Sequence, residues 1–178
     1  MMILSIKSHI DFFMAEGYIS NVNERELYNS EGVGLDLSVK EVYEIEGSDS
    51  MLGLELRNTP PSKIVPFNND GTILLKANSH YLIKTMEVFN LPKDICCNFY
   101  PRSTLFRSGL IFQSSILSSG YKGEMVFGVF NIRNNSMLIE KGARFATAVF
   151  MSVIGDINDY RGQWNGGRVS QPTSEKQV

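Results

Sequence analysis

The sequence predicts a mostly β protein that begins with one short helix, and three observations support this. Runs rich in β-branched and aromatic residues follow one another between residues 72 and 151. Asn, Gly, Pro and Ser separate these runs at short spacing. A single helical pattern precedes them. Many short strands joined by turns are typical of a closed or nearly closed β architecture.

The helix is predicted from its ends and its apolar face. Ser5 can serve as N-cap, the helix runs to about Glu16, and Gly17 stops it. Apolar residues at helical spacing predict a face that packs on the core rather than on a membrane or a partner: Ile6, Ile10 and Phe13.

The strands are predicted from a change of period. Apolar and polar residues alternate over residues 35–39, which indicates a half-buried strand that continues through 42–45. Residues 47–70 are rich in Gly, Ser, Asn, Asp and Pro and predict a surface excursion with a short strand near 52–56. The later strands are predicted at 72–76, 81–86, 95–99, 111–115, 125–131 and 145–151.

Composition limits the function classes. The chain has 178 residues, 43% of them hydrophobic and 20% charged, which is typical of one globular domain. We predict a β domain over 1–155 and a mobile C-terminal tail or lid over 156–178. The net charge of −2 argues against a general nucleic-acid binder, and no apolar run is long enough to span a bilayer. The adjacent Cys96 and Cys97 indicate strand fillers in a reducing compartment, and the distant His9 and His80 argue against a zinc site.

The most informative segment is residues 100–109. Arg102 and Arg107 carry planar guanidiniums that match phosphate oxygens, and Ser103 and Thr104 add hydroxyl donors. A turn from a loop into a short helix would aim both arginines at one ligand. The segment therefore predicts a polyphosphate cradle; the alternative is a surface turn with two solvated arginines.

Three further sites combine acids, glycines and arginines. Asp36 stands in an apolar strand, either on the solvent face or aimed at a ribose, a water or a magnesium-held phosphate. The glycines of 118–124 suit a hairpin loop or a backbone-lined base pocket in which Tyr121 packs on the sugar. Arg144 could bind phosphate or form a structural ion pair.

The tail offers a stacking plane and cations. Trp164 could stack on a base, and Arg161 or Arg168 could clamp a phosphate. A single tryptophan in a polar tail is difficult to explain as core, so we favour a functional role for it.

In this order and spacing, the motifs resemble the trimeric dUTPases and dCTP deaminases, especially the archaeal-type branch. The motifs that carry the resemblance are Gly-Leu-Asp-Leu at 34–37, the segment 101–109, Gly-Tyr-Lys-Gly-Glu at 120–124, Glu-Lys-Gly-Ala-Arg-Phe-Ala at 140–146 and, more loosely, the tail at 160–164. The resemblance implies a distorted β-barrel or jelly-roll subunit, a homotrimer with sites between subunits, and a cytoplasmic enzyme of nucleotide metabolism.

The resemblance also implies roles for individual residues. Arg102, Ser103 and Arg107 would contact phosphates, residues 115–118 (Ser115, Ile116, Leu117 and Ser118) would present the base hairpin, Tyr121 would pack on deoxyribose, and the tail around Trp164 would act as the lid. Mg²⁺ would be held by the triphosphate, with no direct protein ligand.

Three positions depart from the family pattern. Ser118 stands where the family has an aspartate, and Gly128 stands where the deaminases have a glutamate. Neither residue can accept a proton near neutral pH as a carboxylate does. Thr147 replaces a common glutamine. Asp36 or Glu124 are the candidate substitutes for the missing acid.

The sequence therefore leaves three hypotheses. The first is a hydrolase of a dUTP-like triphosphate, and the second is a non-catalytic nucleotide-binding protein that sequesters or regulates. The third, a dCTP deaminase, is less favoured because of Gly128.

Overall fold

The computed structural model describes residues 2–158 and 160–177. The helices are α1 Ile6–Ala15, α2 Glu24–Asn29 and α3 Ser103–Arg107. The strands are β1 Ile3–Leu4, β2 Ile19–Ser20, β3 Leu35–Ile45, β4 Met51–Leu52, β5 Leu56–Asn58, β6 Ser62–Val65, β7 Thr72–Leu75, β8 Ser79–Asn90, β9 Ile95–Pro101, β10 Leu110–Gln113, β11 Lys122–Asn131, β12 Met137–Glu140, β13 Arg144–Ser152 and β14 Glu175–Lys176.

Most of the strands belong to one curled sheet. Within the described residues it has nine strands, with the path β1-β13-β3-β8-β11-β10 and with β2, β6 and β9 paired to β8, β3 and β13. β12 pairs with β7, and β14, β5 and β4 form a small separate sheet. The mostly β, barrel-like prediction is confirmed.

The curl of the sheet depends on β3. Its first residues pair with β13, and its later residues pair with β8 and β6. The register shifts between Val39 and Glu41, and a bulge of this kind bends a strand. β3 therefore carries the chain from one half of the barrel to the other.

Aromatic rings fill the space between the two halves. The Phe99 and Phe127 ring centroids lie 4.8 Å apart, and those of Phe127 and Phe145 lie 5.8 Å apart. Phe13 of α1 packs on Phe150 at 5.1 Å. These contacts bring together β9, β11, β13 and the predicted apolar face of the helix.

The N-terminal helix is confirmed, with one local difference. Ser5 occupies the N-cap position, but its side chain makes no capping hydrogen bond. Gly17 has a φ of 68° just beyond the C-cap Glu16, as a helix stop requires. None of the helices in 2–158 and 160–177 is long and apolar enough to cross a membrane.

The tail returns across the β domain. The Gly166 amide donates to the Lys122 carbonyl at 2.7 Å, and the Lys122 amide donates to Asn165 Oδ1 at 2.8 Å. Further on, β14 pairs with β5 of the surface excursion. These contacts hold the tail against the β domain. The division at residue 155 and the mobility of the lid stay predictions.

Glu87 gives the fold a testable pH dependence. It is fully buried on β8, and the Ser38 amide donates to its carboxylate oxygens at 3.1 and 2.9 Å. Burial raises the pKa of Glu87 from 4.5 to about 7, against the opposing effect of the Ser38 hydrogen bonds. The folded protein therefore keeps a proton that the unfolded chain releases at lower pH.

We expect the contribution of Glu87 to the free energy of unfolding to be complete below pH 4.5 and to be lost as the pH rises through about 7. Glu87→Gln should remove this part of the pH dependence, which corresponds to at most about 3 kcal/mol. Urea denaturation at a series of pH values measures it, with the exposed Glu16→Gln as control. Equal pH slopes in Glu87→Gln and the wild type would contradict the assignment.

Candidate functional site

A buried ion cluster holds two of the arginines that the sequence singled out, Arg102 and Arg144. Arg102 forms an ion pair with Asp36, and Arg144 Nη1 lies 2.9 Å from Asp36 Oδ2. Thr147, directly opposite Asp36 in the β3–β13 ladder, donates its hydroxyl to Oδ1 at 2.7 Å. Both oxygens of Asp36 are thus engaged, and this buried acid faces the arginines rather than solvent.

Glu26 of α2 completes what we call the Asp36 cluster (Glu26, Asp36, Arg102, Arg144 and Thr147). It is fully buried, lies 3.2 Å from Arg144 Nη1 and accepts from the Asp36 amide at 3.2 Å. Burial raises the pKa of Glu26, while the charges of Arg25 and Arg102 oppose that rise. Sequence reasoning missed Glu26, because its six-residue helix has no hydrophobic repeat. Asn23, which caps that helix, was an available signal.

The phosphate-binding candidates lie on and beside α3. Its start is fixed by the Arg102 amide, which donates to the Phe145 carbonyl at 2.9 Å. Arg102, Thr104 and Arg144 line one cavity of about 380 Å³, which we call the arginine cavity. Ser103 and Arg107 are exposed on the same short helix, and the Arg107 guanidinium lies 5.8 Å from the Phe106 ring centroid.

The base and sugar candidates line a different cavity of about 390 Å³, the tail pocket. All of those predicted from the hairpin and the tail contribute to its wall: Ser115, Ile116, Leu117, Ser118, Tyr121 and Trp164. The hairpin is anchored to β9 by mutual backbone hydrogen bonds of 2.8 and 3.0 Å between Leu117 and Cys97. Tyr160 and Arg168 of the tail close the other side.

Tyr121 links the hairpin to the tail. Its hydroxyl donates to the Glu124 carbonyl at 2.6 Å, and its ring packs edge-on against Tyr160 at 5.5 Å. Burial raises the pKa of Tyr121 to about 12, so the hydroxyl stays protonated at neutral pH. Gly123 has a φ of 129°, and a Cβ there would lie 2.7 Å from Gly166. The tail therefore packs directly against the backbone of Gly123, where a side chain would leave no room.

The two proposed substitute acids are held by cations. Lys40 Nζ lies 2.8 Å and Lys84 Nζ 3.8 Å from the Glu124 carboxylate. Burial acts to raise the pKa of Glu124, but the hydrogen bond from Lys40 and the charge of Lys84 outweigh it and leave this pKa lowered. Neither Asp36 nor Glu124 lines the tail pocket, and no other carboxylate of the described residues does.

Arg161 lies in a third cavity of about 320 Å³, which it lines with Arg57 and which shares Ser118 and Tyr160 with the tail pocket. The arginine cavity and the tail pocket, in contrast, share none of the lining residues that the structure describes. One chain therefore places the guanidiniums of 102 and 144 and the base hairpin in separate cavities. Among the residues that the structure describes, no group of His, Cys, Asp and Glu could hold a metal ion.

Gly128 is surrounded by polar side chains from the flanking strands. A Cβ at this position would lie 2.8 Å from Gln113 Oε1 and 3.0 Å from His80 Nε2. Burial lowers the pKa of His80, and the adjacent Gln113 opposes this shift, so the imidazole is a neutral neighbour at pH 7. Sequence reasoning missed this pair, because only the β8–β11–β10 register brings it beside Gly128.

Comparison with known proteins decides the family. The profile of the dCTP deaminase-like family matches residues 6–153, which contain the Asp36 cluster and the base hairpin. The chain belongs to this family.

Relatives with two different names match over most of the chain. A dCTP deaminase of Caldivirga maquilingensis is 32% identical over 143 residues, 78% of each chain. A probable deoxyuridine 5'-triphosphate nucleotidohydrolase of Methanosarcina barkeri is 31% identical over 127 residues, 70% of this chain and 72% of that protein.

A solved structure shares the fold. The 2'-deoxycytidine 5'-triphosphate deaminase of Agrobacterium tumefaciens superposes with a TM-score of 0.64 at 16% identity, over 83% of this chain and 48% of that one. Our chain thus spans about half the length of that protein. The resemblance predicted from the sequence motifs is confirmed.

The packing around Gly128 can be tested by substitution. Gly128→Glu must move the end of the exposed Gln113 side chain and crowds His80 Nε2, so we expect it to lower the free energy of unfolding by about 0.5–1 kcal/mol. Gly128→Glu combined with Gln113→Ala should recover part of this loss, because the shorter side chain leaves room. Thermal denaturation of the single and double variants measures it. Strictly additive losses would show that Gln113 does not occupy this space.

Proposed function

We propose that the protein binds a pyrimidine deoxynucleoside triphosphate at sites shared between the subunits of a homotrimer and hydrolyses it. The substrate is dUTP in the simplest case, and the products are the monophosphate and pyrophosphate. The observation that carries this proposal is the separation of the arginine cavity from the tail pocket within one chain. A second copy that brings its arginine element to this tail pocket would complete the site.

Exposed apolar side chains near the arginine element support an interface there. Phe106 of α3, Ile111 of β10, Ile132 after β11 and Leu138 of β12 are 54%, 45%, 50% and 60% exposed. Burial of such side chains against another copy is favourable, at about 25 cal/mol per Å² of apolar surface.

The chemistry of the arginine element fits a triphosphate. Arg102, Arg107 and Arg144 would bind phosphate oxygens with charge-assisted hydrogen bonds, and Ser103 and Thr104 would add hydroxyl donors. Mg²⁺ would arrive on the triphosphate, because Arg102, Arg144 and Thr147 already occupy the Asp36 oxygens. Hydrolysis would join a water oxygen to the α-phosphorus and break its bond to the bridging oxygen of pyrophosphate, with release of a proton.

A second candidate function is nucleotide binding without turnover, for sequestration or regulation. It is favoured by the absence of any carboxylate among the described residues of the tail pocket and by the cations that hold Asp36 and Glu124. dCTP deamination, the activity for which some relatives are named, would need a proton carrier in place of Gly128. Gln113 and His80 occupy the space beside Gly128, and neither of them lines the tail pocket.

We also propose a cellular compartment and a class of ligand for this protein. A nucleotide substrate and the free thiols of Cys96 and Cys97 support a cytoplasmic protein. A net charge of −2 and cavities of a few hundred Å³ suit a small nucleotide better than a nucleic acid.

Three assays with Mg²⁺ test the proposal. Pyrophosphate release from each deoxynucleoside triphosphate reports hydrolysis, ammonia release from dCTP reports deamination, and calorimetry with an α,β-imido analogue of dUTP reports binding. Light scattering gives the oligomeric state. dUTP turnover by a trimer supports the main proposal, and tight binding without product supports the second candidate. A monomer that binds none of the nucleotides overturns both.

Arg107→Ala should weaken binding of the imido analogue by about 2 kcal/mol, because it removes charge-assisted hydrogen bonds to phosphate. Calorimetry measures this change, and Lys7→Ala on the exposed side of α1 removes a cation elsewhere as the control. An unchanged affinity would remove Arg107 from the site.

Mixed trimers test whether each binding site is built from two subunits. Ile116→Asp alters the exposed rim of the tail pocket and should also weaken binding. In a random equal mixture of Arg107→Ala and Ile116→Asp subunits, about a quarter of shared sites would combine an intact arginine element with an intact pocket. Refolding the two variants together should therefore recover part of the binding, whereas sites within one chain would recover none.

Ser118→Asp tests whether the aspartate that the family has at this position is the only group missing for turnover. Ser118 is exposed between the tail pocket and the cavity of Arg161, so an aspartate there causes no core packing cost. If only this base is missing, dUTP hydrolysis should rise by about two to four orders of magnitude. Ser118→Asn controls for shape without charge, and an equal rate in both variants would contradict the assignment.

A further inference from the structure

The C-terminal strand carries a carboxylate into a group of arginines beside the tail pocket. Arg168 Nη2 lies 2.7 Å from Glu175 Oε1, and Arg168 Nη1 donates to Oε2 at 2.9 Å. Arg57 Nε lies 3.2 Å from the same Oε1. One carboxylate is therefore shared by guanidiniums from the surface excursion and the tail.

These arginines face the cavities from two sides. Arg168 lines the tail pocket, and Arg57 lines the adjoining cavity with Arg161. Their Cζ atoms lie 4.7 Å and 5.2 Å from the ring centroid of Trp164, which holds both guanidiniums in place by cation–π contact. A carboxylate between such guanidiniums uses the same donor geometry as a phosphate.

The arginine pair still has an unused donor. The Nε atom of Arg168 is buried and has no hydrogen-bond partner among the described residues. A buried donor without an acceptor is unfavourable. An anion with more oxygens than a carboxylate offers this arginine pair additional acceptors.

The strand that delivers Glu175 is short and lies at the edge of the small sheet. β14 makes only the ladder pairs Glu175↔Arg57 and Lys176↔Leu56 within the described residues. Beyond it, the Gln177 amide donates to the Glu55 carbonyl at 2.7 Å, and side-chain hydrogen bonds join Gln163 to the Lys176 carbonyl and Gln177 to the Gly53 carbonyl. All of these contacts lie at the exposed edge of a small separate sheet, so β14 opens at lower cost than a strand of the nine-stranded sheet.

We propose that Arg57 and Arg168 form an anion site that Glu175 fills within the same chain, and that a phosphate group of the bound nucleotide displaces it. β14 is thus a self-inhibitory strand: the ligand must release it before the two guanidiniums become available. This inference deepens the proposed function and rests on it, but it assigns a role to Arg57 and Glu175, outside the arginine element and the base hairpin.

Affinity distinguishes an inhibitory role of Glu175 from a structural one. Glu175→Gln removes the competing charge, so the imido analogue of dUTP should bind about fivefold more tightly in calorimetry, although the free protein loses thermal stability. Glu55→Gln on the exposed β4–β5 turn removes the same charge as the control. Arg57→Ala in the Glu175→Gln background should abolish the gain. Equal or weaker binding by Glu175→Gln overturns the inference while the proposed function stands.

Hydrogen exchange of the wild-type protein gives a second readout that does not depend on a variant. Ligand binding should speed exchange of the Gln177 amide, because β14 leaves β5. Slower exchange at Gln177 would mean that the strand closes with the ligand, and it would overturn the inference.

Pyrophosphate alone distinguishes the possible sources of the anion. If pyrophosphate speeds exchange of the Gln177 amide, the site accepts any polyphosphate. If only the nucleotide speeds this exchange, the site accepts the phosphates of a bound triphosphate. If neither the wild type nor Glu175→Gln binds any of these probes, the proposed function fails and this inference fails with it.

Discussion

The carboxylate of Asp36 is the contact on which the arrangement of the arginines depends. It lies buried in β3 and is held by Arg102, Arg144 and Thr147, residues of the neighbouring strand or of the turn that follows β9. A buried charge persists only when it is paired and hydrogen-bonded, so these partners are constrained together. The ion cluster therefore fixes the positions of both guanidiniums.

Charge neutralisation recurs at each potential site. Asp36 is balanced by arginines, Glu124 by Lys40 and Lys84, and the Arg57–Arg168 pair by Glu175. The cations of each candidate site are therefore paired with internal acids. Under the proposed function, binding of a triphosphate would require the exchange of one anion for another.

Two substitutions alter the chemistry while the frame stays intact. With Ser118 at its rim, the tail pocket has no carboxylate among its described lining residues. At Gly128, the space that a side chain would fill is occupied by Gln113 and His80. The family frame thus carries polar groups that can hydrogen-bond a ligand but that do not include an acid in the pocket. Under the proposed function, these changes would affect proton transfer most directly, whereas the residues proposed to bind phosphate lie elsewhere.

The sequence by itself determined the mostly β class, the N-terminal helix, the order of the long strands and the family. Period-two alternation, turn residues and short motifs are local signals, and local signals survive without knowledge of contacts. Only the tertiary structure decided that Glu26 joins Asp36, that His80 lies beside Gly128 and that Glu175 reaches Arg57. These pairs are distant in sequence, and strand register, bulges and tail placement bring them together. Nothing in the neighbourhood of each residue along the chain specifies its partner, because side chains meet across strands through the global packing of the sheet.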